Sequence, residues 1–281
     1  MKSSLLRKLK SGFLECFGIT WITRSQAVID DMEIMPQVIG MSGFAKAMSH
    51  YFLHYQELST DPKLADFMRF YALNYSKSSS QWSQDLWVMY ETKNSKSKRY
   101  LEIGGADGYT HSNTLSLEIH HGWTGTLVEP EKRQFRRLKI ARKKNELINQ
   151  AISPDGIFQA ATLRSVGQLS SLKGFESNDV HHTHRMESRC FQKTKAIPLE
   201  TILASNHYDY FSFDIEGAEL SVLKSVNWNQ VFKPKLLTIE HNSRPEEKQA
   251  LLDFFSRLGY VSCFYEHNWL LQGDIWLKLE L

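Results

Sequence analysis

Tyr100-Leu-Glu-Ile-Gly-Gly-Ala-Asp-Gly-Tyr109 is the stretch on which the reading of this chain turns. Tyr100, Leu101 and Ile103 form an apolar run suited to a buried parallel strand, and Gly104, Gly105 and Gly108 let the backbone turn tightly beside a ligand. An ordinary glycine turn has the same composition, so spacing has to decide. A dinucleotide loop needs G-x-G-x-x-G, whereas Glu102, Gly104 and Gly108 give acid-x-G-x-x-x-G. The next acidic strand end, Glu129, follows 25 residues after Gly104. That pattern favours a nucleoside without a pyrophosphate, such as S-adenosylmethionine.

Outward from this loop, apolar runs alternate with helical stretches, the pattern of a doubly wound α/β sheet. A helix is expected through Thr114, Leu115, Leu117 and Ile119, closed by Gly122. The strand Thr126-Leu127-Val128 then ends at Glu129-Pro130. A basic helix runs from Lys132 to Lys144 with Phe135, Leu138 and Leu147 inward. Such charge runs are solvated faces unless a polyanion covers them, so an RNA backbone is the sharper reading. Further strands are expected over Tyr208–Phe213 and Lys235–Ile239, each followed by a helix, and Tyr260–Phe264 with Ile275–Leu279 forms a terminal strand pair. Residues 153–197 carry no clear period and read as exposed loop; His181, His182 and His184 lack the spacing of a metal site.

Residues 1–95 show helical periodicity, as at Phe44, Met48, Tyr51, Phe52 and Tyr55, then Leu64, Phe67, Met68 and Tyr71. They are read as a helical extension or cap, joined at the polar run Glu91–Arg99 to a second unit over 96–281. Lys2, Arg7, Lys8 and Lys10 interrupt the first apolar positions, so this segment is neither a signal peptide core nor a membrane span. It reads as an amphipathic helix, packing on the protein or lying on an anionic membrane surface. Apolar residues at 42% and charged residues at 23% exclude a disordered chain. A net charge of +3 does not by itself call for nucleic acid. Three scattered cysteines, Cys16, Cys190 and Cys263, offer no redox or zinc pair and fit a reducing, cytoplasmic setting.

On a parallel sheet the acidic groups Glu102, Glu129, Asp214 and Glu216 fall at strand ends and converge on one edge. Glu129 can accept both hydroxyls of a ribose diol, and Asp107 is placed to hold the cofactor's ammonium. Leu101-Glu-Ile-Gly-Gly-Ala-Asp-Gly108, Gly122-Trp-Thr-Gly-Thr-Leu-Val-Glu-Pro130, Phe213-Asp-Ile-Glu-Gly-Ala-Glu-Leu220 and Ile239-Glu-His-Asn242, in this order, resemble the FkbM family of S-adenosylmethionine-dependent methyltransferases. The first motif is common to many methyltransferases; the order of the later ones is specific. The resemblance runs from Tyr100 to the C-terminus and leaves the N-terminal extension uncovered. It implies a Rossmann-like, seven-stranded methyltransferase sheet with an antiparallel last strand, and O-methylation of a saccharide or other small-molecule hydroxyl. The chain departs from the family at Gly105-Ala106, where Ala-Asn is frequent.

Methyl transfer to an alcohol needs its proton removed. Asp214 and His241 are the candidate bases, with Glu216 orienting the acceptor. Asp214, Glu240 and His241 form an alternative Mg²⁺ set that would acidify the hydroxyl. Glu219 and Asn242 are also read as caps of the helices that follow them. Two other functions stay open: an RNA methyltransferase using the 132–144 helix, and a catalytically silent fold that binds partners through its N-terminal helices.

Overall fold

The computed structural model describes residues 53–93, 95–96, 98–176, 182–271 and 273–280. The amphipathic segment at residues 2–21, Cys16, the positions Phe44 to Phe52, and His181 lie outside them. By its internal contacts the chain divides into Met1–Ser76 and Lys77–Leu281. In the first unit, α1 (Tyr55–Thr60) and α2 (Pro62–Asn74) meet at Asp61. The Asp61 side chain accepts from Leu64 N, and Pro62 opens the helix where no N–H is needed.

The second unit begins with α3 (Gln84–Glu91) and builds a sheet in which β1 (Arg99–Ile103) is central. After it come α4 (Leu115–His121), β2 (Thr124–Val128), α5 (Lys132–Ala141) and β3 (Glu146–Ile148). Leu147, expected on the basic helix, lies instead in β3, because the helix stops at Ala141 and the chain turns at Arg142. Residues 151–197 supply β4 (Ala151–Ile152), β5 (Gln159–Arg164), β6 (Ser171–Leu172), α6 (His182–Glu187) and β7 (Phe191–Ile197). The chain closes with α7 (Leu199–Ser205), β8 (Tyr210–Phe213), α8 (Glu219–Ser225), β9 (Leu236–Glu240), α9 (Pro245–Ser256), β10 (Tyr260–Ser262), α10 (Asn268–Leu271) and β11 (Asp274–Leu279).

The main sheet has the order β10-β11-β9-β8-β1-β2-β3. β9, β8, β1, β2 and β3 pair in parallel, while β11 is antiparallel to both β9 and β10. This is the doubly wound, Rossmann-like arrangement expected, with the direction of winding reversing between β1 and β8. Alternation sorts the two faces. Leu101, Ile103, Phe211, Phe213, Leu237, Ile239, Ile275 and Leu277 enter one core with Leu203, Leu223 and Phe255 of the helices. The alternate positions Tyr100, Glu102, Tyr210, Ser212, Thr238 and Trp276 form a more polar second face, where Tyr210 Oη and Thr238 Oγ1 are 2.7 Å apart. Trp87 of α3 stacks on Trp276 with ring centroids 5.3 Å apart, so this helix packs on the sheet unit.

The span expected as loop forms a second sheet of order β4-β7-β5-β6. Its long pair, β5 with β7, is antiparallel over six residue pairs. The alternation was obscured because β5 is short of large apolar residues and β7 turns Phe191, Lys193 and Lys195 outward, leaving only half-buried Gln192 and Thr194 between them. α6 leaves His182 half-buried and His184 exposed while Arg185 is fully buried.

Arg142, one cation of the basic run, is also fully buried. Its Nε donates to Glu118 at 2.6 Å, Nη1 to Gly108 O and Ser112 Oγ, and Nη2 to Tyr100 Oη and Thr114 Oγ1. Glu102 lies 3.8 Å away. The other seven cations of the run, Lys132, Arg133, Arg136, Arg137, Lys139, Lys143 and Lys144, are exposed. Replacing Arg142 with Met strands two buried carboxylates, so urea unfolding is expected to show a loss of about 3–5 kcal/mol. A change below about 1 kcal/mol would remove Arg142 as the anchor of the loop.

Candidate active site

The carboxyl ends of β1, β2, β8 and β9 open into one cavity of about 510 Å³, the size of a small-molecule site. Its floor follows from the glycine loop. Gly104 has φ +86°, and a Cβ there would stand 1.7 Å from the carbonyl oxygen of Asp214. Only glycine lets β1 and β8 close this tightly. The N–H groups of Gly104 and Gly105 both donate to Val128 O at 3.0 Å, which fixes the loop against the end of β2.

Of the expected cofactor residues, Gly104 and Glu129 line the cavity, while Glu102, Gly105, Asp107 and Gly108 do not. Glu102 accepts from Ser112 Oγ, Asn113 N and Thr114 Oγ1, which shapes the turn leading into α4. Burial pushes its carboxyl up, opposed by Arg142 and these donors. Asp107 accepts from the N–H groups of Tyr109 and Thr110, and burial is outweighed by these bonds, so its carboxyl lies below the usual range. Gly105 packs on Leu127. A Cβ at Gly108 (φ +74°) would meet Leu138 and Arg142 at 2.5 and 2.7 Å. These four residues shape the loop from behind.

Glu129 is 6% exposed, and each carboxylate oxygen accepts one backbone N–H: Oε2 from Ala106 at 2.9 Å and Oε1 from Glu131 at 2.6 Å. Each oxygen therefore keeps a lone pair for a further donor. Burial pushes its carboxyl up to about 8.

Across the switch point the structure gathers Asp214, Glu216 and Glu240, each with a carboxylate oxygen within 4.8 Å of the others. Asp214 and Glu240 share a hydrogen bond, and burial raises both carboxyls, Glu240 well above the carboxylate range with the neighbouring acids adding to its shift. Arg185 Nη1 donates to Glu216 Oε2 at 2.7 Å, and the same guanidinium favours the charged form of Asp214. Sequence reasoning missed Arg185, since nothing in a span read as loop marks one arginine as buried.

His241, expected as a base or metal ligand, does not join this group or the cavity lining. Alternation along β9 puts Glu240 on the cavity side and turns His241 away. Burial depresses its imidazole to about 4. Asn242 does not cap α9, whose first turn has no side-chain cap; it lines the cavity. Glu219 does act as a local cap, accepting from Ile215 N and Gly217 N.

Asn113, Gln84, Gln81 and Trp82 are among the lining residues that were not foreseen. Asn113 donates through Nδ2 to Ser212 Oγ at 2.9 Å, and its buried Oδ1 has no partner. Gln84 donates to Asp274 Oδ2 at 2.7 Å. Gln81 and Trp82 are placed by Asp85, which draws in Ser78 and Ser80 at 2.7 Å each. The serine run ahead of Asp85 was the available signal for this wall.

Among the described residues no helix is long and apolar enough to cross a membrane. Cys190 is exposed and Cys263 is buried.

Fold and site together define a class I-type methyltransferase architecture: a glycine loop after the first strand, an acid after the second, and acids after later strands on a doubly wound sheet. The family model for the methyltransferase FkbM domain matches residues 102–262. The chain belongs to the FkbM methyltransferase family. Among solved structures it is similar to methyltransferase FkbM from Methylobacillus flagellatus KT, at 13% identity and a TM-score of 0.46, over 90% of this chain and 58% of that one. It thus spans little more than half the length of that relative. A SAM-dependent methyltransferase from Geobacter sulfurreducens in complex with S-adenosyl-L-homocysteine is 11% identical, with a TM-score of 0.35, over 66% of this chain and 67% of that one. No protein of curated function matches the sequence significantly.

The buried acids make stability fall with rising pH. Folding raises Glu129 to about 8, and Glu219 and Asp274 to about 7. The folded state therefore keeps protons that the unfolded chain releases near 4, and this contribution is lost as pH climbs towards 8. His241 acts only below its ordinary value, with the opposite sign. Thermal melts without ligand are expected to show a Tm that drops between pH 6.5 and 8, with a shallower slope in Glu129→Gln and in Asp274→Asn. A Tm that rises over that interval would contradict the burial of these acids.

Proposed function

We propose that this chain is an S-adenosylmethionine-dependent O-methyltransferase acting on a hydroxyl of a saccharide or other small metabolite. The observation that carries the reading is the opening of Glu129 and Asp214 into one cavity from opposite sides of the switch point. Glu129, with one lone pair left on each oxygen, suits a vicinal diol such as the cofactor's ribose. Gly104 brings the backbone close enough to the cavity for the rest of the nucleoside to approach. When bound, S-adenosylmethionine supplies a methyl carbon activated by its sulfonium.

On the other side, Asp214 would take the proton of the acceptor hydroxyl as that oxygen becomes the nucleophile. Glu240 keeps Asp214 oriented by their hydrogen bond, and Arg185 favours its charged form. Most of the rate gain would come from holding the acceptor in line and excluding water. Glu216, tied to Arg185, acts through that arginine rather than on the acceptor.

Calorimetry with S-adenosylhomocysteine tests the cofactor half: Glu129→Ala is expected to weaken binding about 10- to 100-fold through loss of charge-assisted hydrogen bonds. Unchanged affinity would sink the reading. For the acceptor half, Asp214→Asn is expected to lower kcat by about 10²–10⁴-fold with cofactor affinity retained. Mg²⁺ held by Asp214 and Glu240 is the competing way to activate the hydroxyl. Full turnover in excess chelator is expected here; activity lost in chelator and restored by Mg²⁺ would replace the base with the metal.

An RNA acceptor is a second reading, favoured by the seven exposed cations of α5 and the segment after it. It requires RNA affinity that falls steeply with salt and weakens when Arg136 and Arg137 are neutralised.

A further inference from the structure

The cavity is more acidic than the proposed reaction uses. Its lining holds Glu129, Asp214, Glu216, Glu240 and Asp274 and, among the described residues, no lysine or arginine. Glu129 has a cofactor to meet, Asp214 a proton to take, and Glu216 is bound to Arg185. Glu240 and Asp274 remain. They are direct partners across the antiparallel β9–β11 pair, and like charges directly opposite on one sheet face repel. Glu240 spends one oxygen on Asp214, and its Oε2 is buried without a partner. Asp274 receives Gln84 Nε2.

A second observation lies beside them. Asn242 is 8% exposed, lines the cavity, and its buried Nδ2 has no hydrogen-bond partner. Asn242 and Ser243 hold left-handed backbones, φ +51° and +55°. Non-glycine residues kept in that region cluster at ligand sites, where the strain serves placement. An amide left unsatisfied at such a point asks for an oxygen from a ligand.

Resting on the O-methyltransferase reading, we propose that the acceptor also carries a protonated amine, its ammonium seated between Glu240 and Asp274 while Asn242 donates to an oxygen of the same molecule. An ammonium has three N–H donors spread tetrahedrally, so oxygens at about 2.9 Å from it stand about 4.7 Å apart. Directly opposite residues of an antiparallel pair hold their Cβ atoms about 4.5–5.5 Å apart, so Glu240 and Asp274, which both line the cavity, start from that spread. The charge of the ammonium relieves the repulsion between the two opposed carboxylates. The amine stays charged and is not the methyl acceptor, which is the hydroxyl held at Asp214. Amino sugars and amino alcohols of similar size belong to this class.

Isothermal titration of the full chain with glucosamine, glucose and glucuronate, with and without saturating S-adenosylhomocysteine, tests this. Glucosamine is expected to bind at least about tenfold more tightly than glucose, with glucuronate weakest. In Glu240→Gln/Asp274→Asn that preference is expected to shrink to within about twofold, S-adenosylhomocysteine affinity being kept. Equal binding of glucose and glucosamine, no binding of glucosamine, or saturable Mg²⁺ binding abolished by the same two substitutions would each overturn the ammonium site. S-adenosylhomocysteine affinity separates the outcomes: retained without amine preference, it leaves the methyltransferase reading standing; lost, it removes that reading, while the titrations without it still decide the amine.

Discussion

The buried guanidinium of Arg142 is the constraint on which the cofactor half of this molecule depends. Its N–H groups reach β1, the glycine loop, the turn after it and α4, joining four pieces of chain through one side chain. A planar, always-charged fork can satisfy that many acceptors without water, and lysine cannot. Much of the loop's composition follows from it. Gly108 is glycine because the Arg142 stem passes where its Cβ would lie. Glu102 is acidic because it answers the same charge, and it thereby fixes Ser112, Asn113 and Thr114. The motif that looks like a ligand cradle is in good part a socket for one arginine.

In front of that socket the backbone is under a different regime. Of the eight non-glycine residues with positive φ among the described residues, five line the cavity: Ala106, His111, Glu216, Asn242 and Ser243. Such conformations cost on the order of 1–3 kcal/mol each and survive only where surrounding contacts impose them. The raised carboxyls Glu129, Asp214, Glu240 and Asp274 lie at the same end of the sheet. Stability and function are thus divided by depth: satisfied pairs behind the loop, strained backbone and unsettled protons before it.

The sheet was legible in the sequence because its strands are short apolar runs closed by glycine, proline or acid, and because the helices between them carry caps such as Gly122 and Glu131. Glu129 and Asp214 were legible for the same reason, since the end of a parallel strand is also the place where a ligand binds. What failed was the assignment of roles within a motif. Sequence spacing puts Glu102, Asp107 and Gly108 beside Gly104, but only the path of the chain shows that they do not line the cavity. His241 was misdirected by one residue of strand parity. Asp274, Gln84 and Arg185 come from the far end of the chain, from before the motif, and from a span with no readable period, and only tertiary packing brings them to the acids.

The small second sheet leaves and rejoins the chain's path at one point. Ala151 and Ile152 pair with Ala196 and Ile197, and Ser153 N donates to Ile197 O at 2.8 Å, so residues 153–196 are an excursion whose two ends are stitched together. From the standpoint of the main sheet such an excursion has no length. Its hairpins can grow, shrink or be exchanged by descent without shifting β3 or β8, while Leu163, Gly167 and Leu172 keep their place over the cavity. The fold therefore carries a replaceable wall, through which related chains can diverge in what they admit while the strands beneath stay the same.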